Sequence, residues 1–310
     1  MMKKINLKNP VLLTIAAAIW GFAFAAQSEA MDYIGPFTLN CIRNMIGALV
    51  LVPVIFAMDR YDRDHGEGGG KGKAAESKKL LLTGGICCGL FLSVATNLQQ
   101  LGIKYTTVGK AGFITAIYIV LVPVAGLFFK KKCSLMVWIS VGLARVGFYF
   151  LTMIGESSFT KGDIYVLLCA LVFTGHILCV DYFSPKVNGV KLSCLQFLVC
   201  GILSGVIMLC RESLVPTDIL KAWAPILYTG VLSCGVAYTF QILGQKNYNP
   251  AVAALLMSLE SVFSVLGGWL VLHETLSGSE AVGCILIFAG IILAQIPKEW
   301  YHGKKRDHRS

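Results

Sequence analysis

Charge is what this sequence lacks. Only 14% of its 310 residues are Asp, Glu, Lys or Arg, while 56% are hydrophobic. A soluble globular protein carries roughly a quarter of its residues charged, so that class is excluded. The short alternating segments of a membrane β-barrel are also missing. No Gly-x4-Gly-Lys-Ser/Thr occurs, so nothing marks an ATP-driven pump. There is no Cys-x-x-Cys or Cys/His spacing for zinc, and His273-Glu274 lacks the second histidine of a metalloprotease helix. Asp-rich pairs of the kind a membrane phosphotransferase needs are absent from the apolar runs. These gaps argue against an enzyme, a metal and a cofactor. The surplus of +10 lies between and beyond the apolar runs, so it does not mark a nucleic-acid partner.

What is present is a series of apolar runs about twenty residues long, each enough to cross a hydrocarbon core of ~30 Å. Ten spans fit, near residues 11–31, 37–58, 80–101, 108–129, 134–154, 164–183, 192–210, 224–244, 251–272 and 280–297. The expected class is an all-α polytopic membrane protein. Lys3, Lys4 and Ala23-Phe24-Ala25 imitate a signal peptide, but the downstream chain is itself membrane, so an uncleaved first span is expected. Most connections are short. The exception, Asp59 to Lys79, is rich in Gly and charge and reads as a flexible solvated loop. The eleven cysteines lie mostly inside apolar runs, as small hydrophobes in helix packing.

Lysine and arginine set the expected orientation. With the N-terminus in the cytoplasm, twenty fall on inside segments, four on outside segments and three within spans. Both termini are then cytoplasmic, and the basic tail lies beside an anionic leaflet. The halves also resemble each other. A shift of 154 carries Trp20-Gly21 onto Thr174-Gly175, and a shift of 142 carries Gln99 onto Gln241, Leu101-Gly102 onto Leu243-Gly244 and Tyr118 onto Glu260. Five spans per half put the halves in opposite orientations, so two inverted five-helix repeats are expected over 1–158 and 159–310. That is a transporter architecture.

Few polar residues lie within the spans. Glu260 sits near the middle of the ninth, where a carboxylate costs about 2.5–3.5 kcal/mol and normally faces a cavity or a partner. It reads as a cation-binding or proton-carrying group. The alternative is a structural partner of Arg145 or of the flanking Ser258 and Ser261. Lys110, near the outer end of the fourth span, either binds an anionic group or snorkels to the interface. Arg43 in the second span reads as a helix brace, while Arg145 in the middle of the fifth has no charged counterpart in the tenth. Ser93, Asn97, Gln100 and Lys104 recur on one face of the third span, and Tyr238, Gln241 and Gln245 on one face of the eighth. Such stripes line an aqueous path or join helices by hydrogen bonds. The stripe selects Gln100, whereas the repeat shift selects Gln99. Trp20 and His176, near the middle of the first and sixth spans, touch substrate or serve in packing.

Residues 256–293, LMSLESVFSVLGGWLVLHETLSGSEAVGCILIFAGIIL, resemble the signature of EamA-type members of the drug/metabolite transporter superfamily, through Glu260, Phe263, His273-Glu274, Gly283 and Gly290. Tyr105 to Phe129 is similar to the family's fourth span, with Lys110, Phe113, Thr115, Tyr118 and Pro123, and Trp20-Gly21 and Arg43 also match. Ser261 stands where the resemblance has proline, which predicts a straighter helix there. The resemblance implies alternating access in the inner membrane, with a cavity lined by spans 1, 3, 4, 6, 8 and 9 and with spans 5 and 10 peripheral. It places Glu260, Lys110 and Tyr118 on cavity-lining helices. The expected function is secondary or facilitative transport of small metabolites, such as amino-acid-like solutes, with export favoured, by a monomer or weak dimer in the bilayer. A proton-coupled cation or multidrug exporter using Glu260 is the first alternative. A membrane-embedded enzyme or a lipid-binding module is the second.

Overall fold

The computed structural model describes residues 8–64, 78–128, 135–152, 160–273 and 277–294. Among them every regular element is helical. Long apolar runs leave the backbone no water to bond, so each must satisfy its own N–H and C=O groups. The first half holds α1 (Lys8–Ala30), α2 (Pro36–Asp64), α3 (Lys78–Ile103), α4 (Val108–Thr115), α5 (Tyr118–Phe128) and α6 (Leu135–Thr152). The second holds α7 (Lys161–Phe183), α8 (Gly189–Arg211), a short α9 (Pro216–Lys221) and α10 (Trp223–Leu227). There follow a π-helical stretch, Tyr228–Tyr238, then α11 (Thr239–Gln245), α12 (Pro250–Met257), α13 (Leu259–Leu272) and α14 (Gly278–Ala294).

Seven helical runs are long and apolar enough to cross a membrane: Lys8–Ala30, Pro36–Tyr61, Lys78–Ile103, Lys161–Phe183, Gly189–Arg211, Trp223–Gln245 and Val252–Leu272. Their outward faces carry exposed Leu49, Phe56, Ile202, Leu209, Trp269 and Leu270, a surface suited to lipid. Local signals fix several ends. Thr160 and Asp163 form a reciprocal capping box that starts α7, and Asn188 accepts from the Val190 and Lys191 N–H groups to start α8. Glu212, beyond the end of α8, does the same for α2 from a distance. Its carboxylate accepts from the Phe37 N–H at 3.0 Å, and from the Thr38 N–H and hydroxyl at 2.7 Å each.

Two features differ from the sequence expectation. Helix α2 continues to Asp64 and α3 begins at Lys78, so both enter the segment read as a loop. The stretch Asp59 to Asp64 contains no Gly or Pro to stop the helix, and Asp59 is held by Lys191 at 2.8 Å. The glycine-rich remainder lies outside the described residues, as do Lys130 to Lys132, Glu274 and the basic tail. The second difference concerns the fourth and ninth spans, each read as one helix. Each is interrupted, α4 from α5 at Ala116-Ile117 and α12 from α13 at Ser258. Ala116 has ψ −4° and Ser258 has ψ −9°, and each is followed by a tight three-residue hydrogen bond, Ile119 N to Ala116 O and Ser261 N to Ser258 O. The positions coincide under the same 142-residue shift. In the ninth span, serine hydroxyls maintain the tight winding. Ser258 donates to Leu255 O, Ser261 to Ser258 O and Ser264 to Ser261 O. Serine in place of proline therefore does not straighten this helix, because its hydroxyl bonds the backbone in the tightened turn.

Close packing brings the halves together. Helix α1 lies on α13, α2 on α8, and α3 on both α7 and α8, while α6 and α14 pack chiefly on each other at the edge. Gly102 of α3 meets Val166 and the Gly162 carbonyl of α7, and Gly244 of α11 meets Leu13 and the Asn9 carbonyl of α1. The two contacts are alike in form, one in each direction across the molecule. A side chain at Gly21 would overlap the Phe263 Cβ and lie 2.8 Å from the Glu260 carbonyl. Gly21→Leu is therefore expected to destabilise the protein by about 1–3 kcal/mol. This would be read as a lowered thermal midpoint of the detergent-purified chain, with Gly21→Ala intermediate.

Candidate functional site

The two helix breaks face one another. Tyr118 opens α5 and Glu260 lies in the first turn of α13, so each stands just beyond its break. The Tyr118 hydroxyl donates to Glu260 Oε1 at 3.0 Å, and both side chains are buried. Beside them is a cavity with about 40 Å³ open to the centres of water-sized molecules, room for roughly three waters. Trp20, Phe24 and Gln27 line it from α1, Arg43 from α2, Gln99 from α3 and Thr115 from α4. Phe173 and Ile177 come from α7, Ser233 and Tyr238 from the π-helical stretch, Gln241 from α11 and Met257 from α12. A π-helical winding widens a helix locally and recurs at functional sites, and here two of its residues form wall. The Trp20 and Tyr238 rings meet edge to face, 4.7 Å between centroids.

Glu260, Tyr118, Trp20, Tyr238 and Gln241 are thus gathered around one space, together with Arg43, which the sequence had read as a helix brace. The other candidate residues lie elsewhere. Lys110 forms a buried ion pair with Asp163 at 3.7 Å, away from the cavity. Asp163 also accepts from the Thr106 hydroxyl at 2.7 Å and the Thr160 N–H at 2.8 Å, so Lys110 joins α4 to the start of α7. Asn97 accepts from Asn40 and donates to Ser204, each at 2.9 Å, which ties α2, α3 and α8. His176 shares a 3.0 Å hydrogen bond with Gln196 and stacks edge-on against Tyr238, behind the wall. Gln100 donates towards the Met31 sulfur at 2.9 Å, and its neighbour Gln99 lines the cavity instead. Arg145 is exposed on α6, at the edge of the bundle, and no ion pair joins it to Glu260.

Several lining residues were not singled out from the sequence. Trp20, Phe24 and Gln27 follow at spacings of four and three, one helical face, and that pattern was available in α1. Gln99 was marked by the repeat shift but not by the stripe. Thr115 was marked only by the resemblance of the fourth span, and for Ser233 and Met257 no sequence signal stands out.

Broken helices beside a small cavity of mixed polar and apolar lining, within an apolar bundle, are an arrangement that recurs in membrane carriers. The sequence profile of the EamA-like transporter family matches residues 8–153 and again 160–295, and the chain belongs to that family. An uncharacterized transporter of Archaeoglobus fulgidus is 30% identical over 292 residues, 92% of this chain and 84% of the relative. The uncharacterized transporter YoaV of Bacillus subtilis is 23% identical over 287 residues, 89% of this chain and 92% of the relative. A solved crystal structure superposes with a TM-score of 0.70 at 18% identity, covering 93% of this chain and 96% of its own, so the fold is shared. The protein is a multi-pass membrane protein of a transporter family.

The ion pair at Lys110 gives a direct expectation. Lys110→Met leaves Asp163 buried with its two hydrogen bonds but without its counter-charge. It should lower stability by about 1–3 kcal/mol, measured by thermal denaturation in detergent, while Lys110→Arg retains most of it.

Proposed function

We propose that this protein is an alternating-access carrier, secondary or facilitative, that exports small polar or amphipathic metabolites, amino-acid-like solutes among them, across the cytoplasmic membrane. In this reading ten spans form two inverted five-helix repeats, 1–158 and 159–310, with both termini in the cytoplasm. The observation that carries it is the Tyr118–Glu260 contact, made by residues that follow equivalent helix breaks in the two halves and that line the same cavity. The paired contacts of Gly102 with α7 and Gly244 with α1 support the inverted relation.

The cavity holds only a few waters, so a metabolite enters as the helices part. Each end is tied. On the side assigned outward, Lys110–Asp163 and the Glu212 cap on α2 hold helices from both halves. On the side assigned inward, Asn9 donates to the Gly244 and Lys246 carbonyls, and Asp59 pairs with Lys191. Rocking of the halves releases one set while the other holds, and Glu260 carries a cation or a proton through the exchange. The chain works as a monomer or weak dimer.

Counterflow in reconstituted vesicles tests this. Glu260→Gln should lower flux by about tenfold or more, the equivalent of about 1.4 kcal/mol, while leaving the folded yield intact. The aromatic wall of Trp20, Phe24 and Tyr238 beside a carboxylate favours a second reading, a proton-coupled exporter of organic cations. Flux of a lipophilic cation that depends on a pH gradient, with no counterflow of amino acids, would select it. Absence of flux across a broad metabolite panel would leave a membrane-embedded enzyme or a lipid-binding module.

A further inference from the structure

Glu260 shares its cavity with one guanidinium. Arg43 of α2 is 3% exposed, and a Gln27 Oε1 accepts from one of its terminal nitrogens. Its Nε has no hydrogen-bond partner, and among the described residues no carboxylate lies within 4.0 Å of it. A buried cation without a counter-ion is costly by several kcal/mol. Bracing α1 against α2 uses only the bond to Gln27 and leaves the rest of the fork unanswered. Two further lining atoms are also unpartnered, the Trp20 indole N–H and Gln241 Oε1. The residues around the cavity thus carry uncommitted donors on Arg43 and Trp20, and acceptors on Gln241 and Glu260. Arg43 and Glu260 stand beyond ion-pair distance of each other, so no direct contact between them occupies either group. Lys110, for which the sequence left anion binding and snorkelling open, is engaged with Asp163 and is not among the lining residues of the cavity.

We infer that Arg43 is the anion subsite of the cavity: its planar fork takes the carboxylate of a zwitterionic substrate, with the Trp20 indole N–H as a further donor, while Glu260 and Gln241 take the ammonium end. This rests on the carrier reading above and narrows its substrate to amino acids with both groups free. A guanidinium fork matches a carboxylate in two parallel hydrogen bonds, a geometry a lysine does not reproduce.

The test uses the full chain in vesicles of phosphatidylethanolamine and phosphatidylglycerol at pH 7. Counterflow of L-leucine, L-threonine and L-phenylalanine is compared with that of their carboxamides and of their decarboxylated amines. The expected result is that wild-type protein moves the amino acids about tenfold or more faster than either analogue, the equivalent of about 1.4 kcal/mol. Arg43→Gln should bring the ratio towards one, and Arg43→Lys should restore it in part. A merely structural Arg43 would lower all rates together and leave the ratio unchanged. Amides and amines that move as fast as the amino acids would overturn the subsite while leaving the carrier reading in place, as would an Arg43→Gln variant that keeps the preference. No movement of any amino acid or analogue would overturn the amino-acid carrier reading and the subsite together. Should Arg43→Gln fail to fold, Arg43→Lys decides: a ratio lowered from that of the wild type supports the subsite, and an unchanged ratio overturns it.

Discussion

The interior of a bilayer has no water to answer a polar group, and this constraint shapes every buried polar side chain in the protein. Glu260 is answered by Tyr118, Lys110 by Asp163, Asn97 by Asn40 and Ser204, and His176 by Gln196. In each of these cases the partner comes from another helix. The polar residues are too few to form a surface, so they act as joints between otherwise apolar rods. Other buried polar atoms keep no partner, among them Gln245 Nε2 and Oε1 away from the cavity and, around it, Arg43 Nε, the Trp20 indole N–H and Gln241 Oε1. Of these, Arg43 carries a full charge, which makes its place beside the cavity the most consequential.

Small residues give the joints their reach. Gly21 lets α1 approach α13 at the level of Glu260, and Gly112 lets α4 meet Ser264 of the same helix. The two broken spans are drawn against α1 and against each other, and their ends aim Tyr118 and Glu260 at one another. The serine ladder from Ser258 to Ser264 holds the break in the ninth span. Nothing local to Ala116-Ile117 performs the same part in the fourth. Helices α6 and α14, which carry no lining residue among those described, stand apart as a pair, and the exposed Arg145 belongs to that periphery.

The positions of the long helices were legible because the bilayer acts on composition over some twenty residues, and composition is a local property. The repeat shift set Tyr118 and Glu260 at equivalent positions and marked Gln99 and Gln241, whereas the contact between the first two and the shared cavity wall came from the tertiary structure. The polar stripe was less informative. Ser93, Asn97 and Gln100 do share a face, but that face meets α1, α2 and α8 through hydrogen bonds, and one residue of helical rotation moves the lining to Gln99. The breaks were hidden because neither Ala116 nor Ser258 is a glycine or proline, the usual marks of an interrupted helix.

By itself, the sequence determined the class of protein, the rough places of the long apolar helices, and the internal likeness of the two halves, because hydropathy and repeat spacing are written along the chain. It also isolated the few ionisable residues worth attention. Only the tertiary structure decided what each of them does. Lys110 and Arg43 are each the one cation of the expected spans 108–129 and 37–58, and nothing in the chain near them separates their roles. Rotation about the helix axis and the approach of a distant helix do: Asp163 reaches Lys110, and among the described residues no carboxylate reaches Arg43.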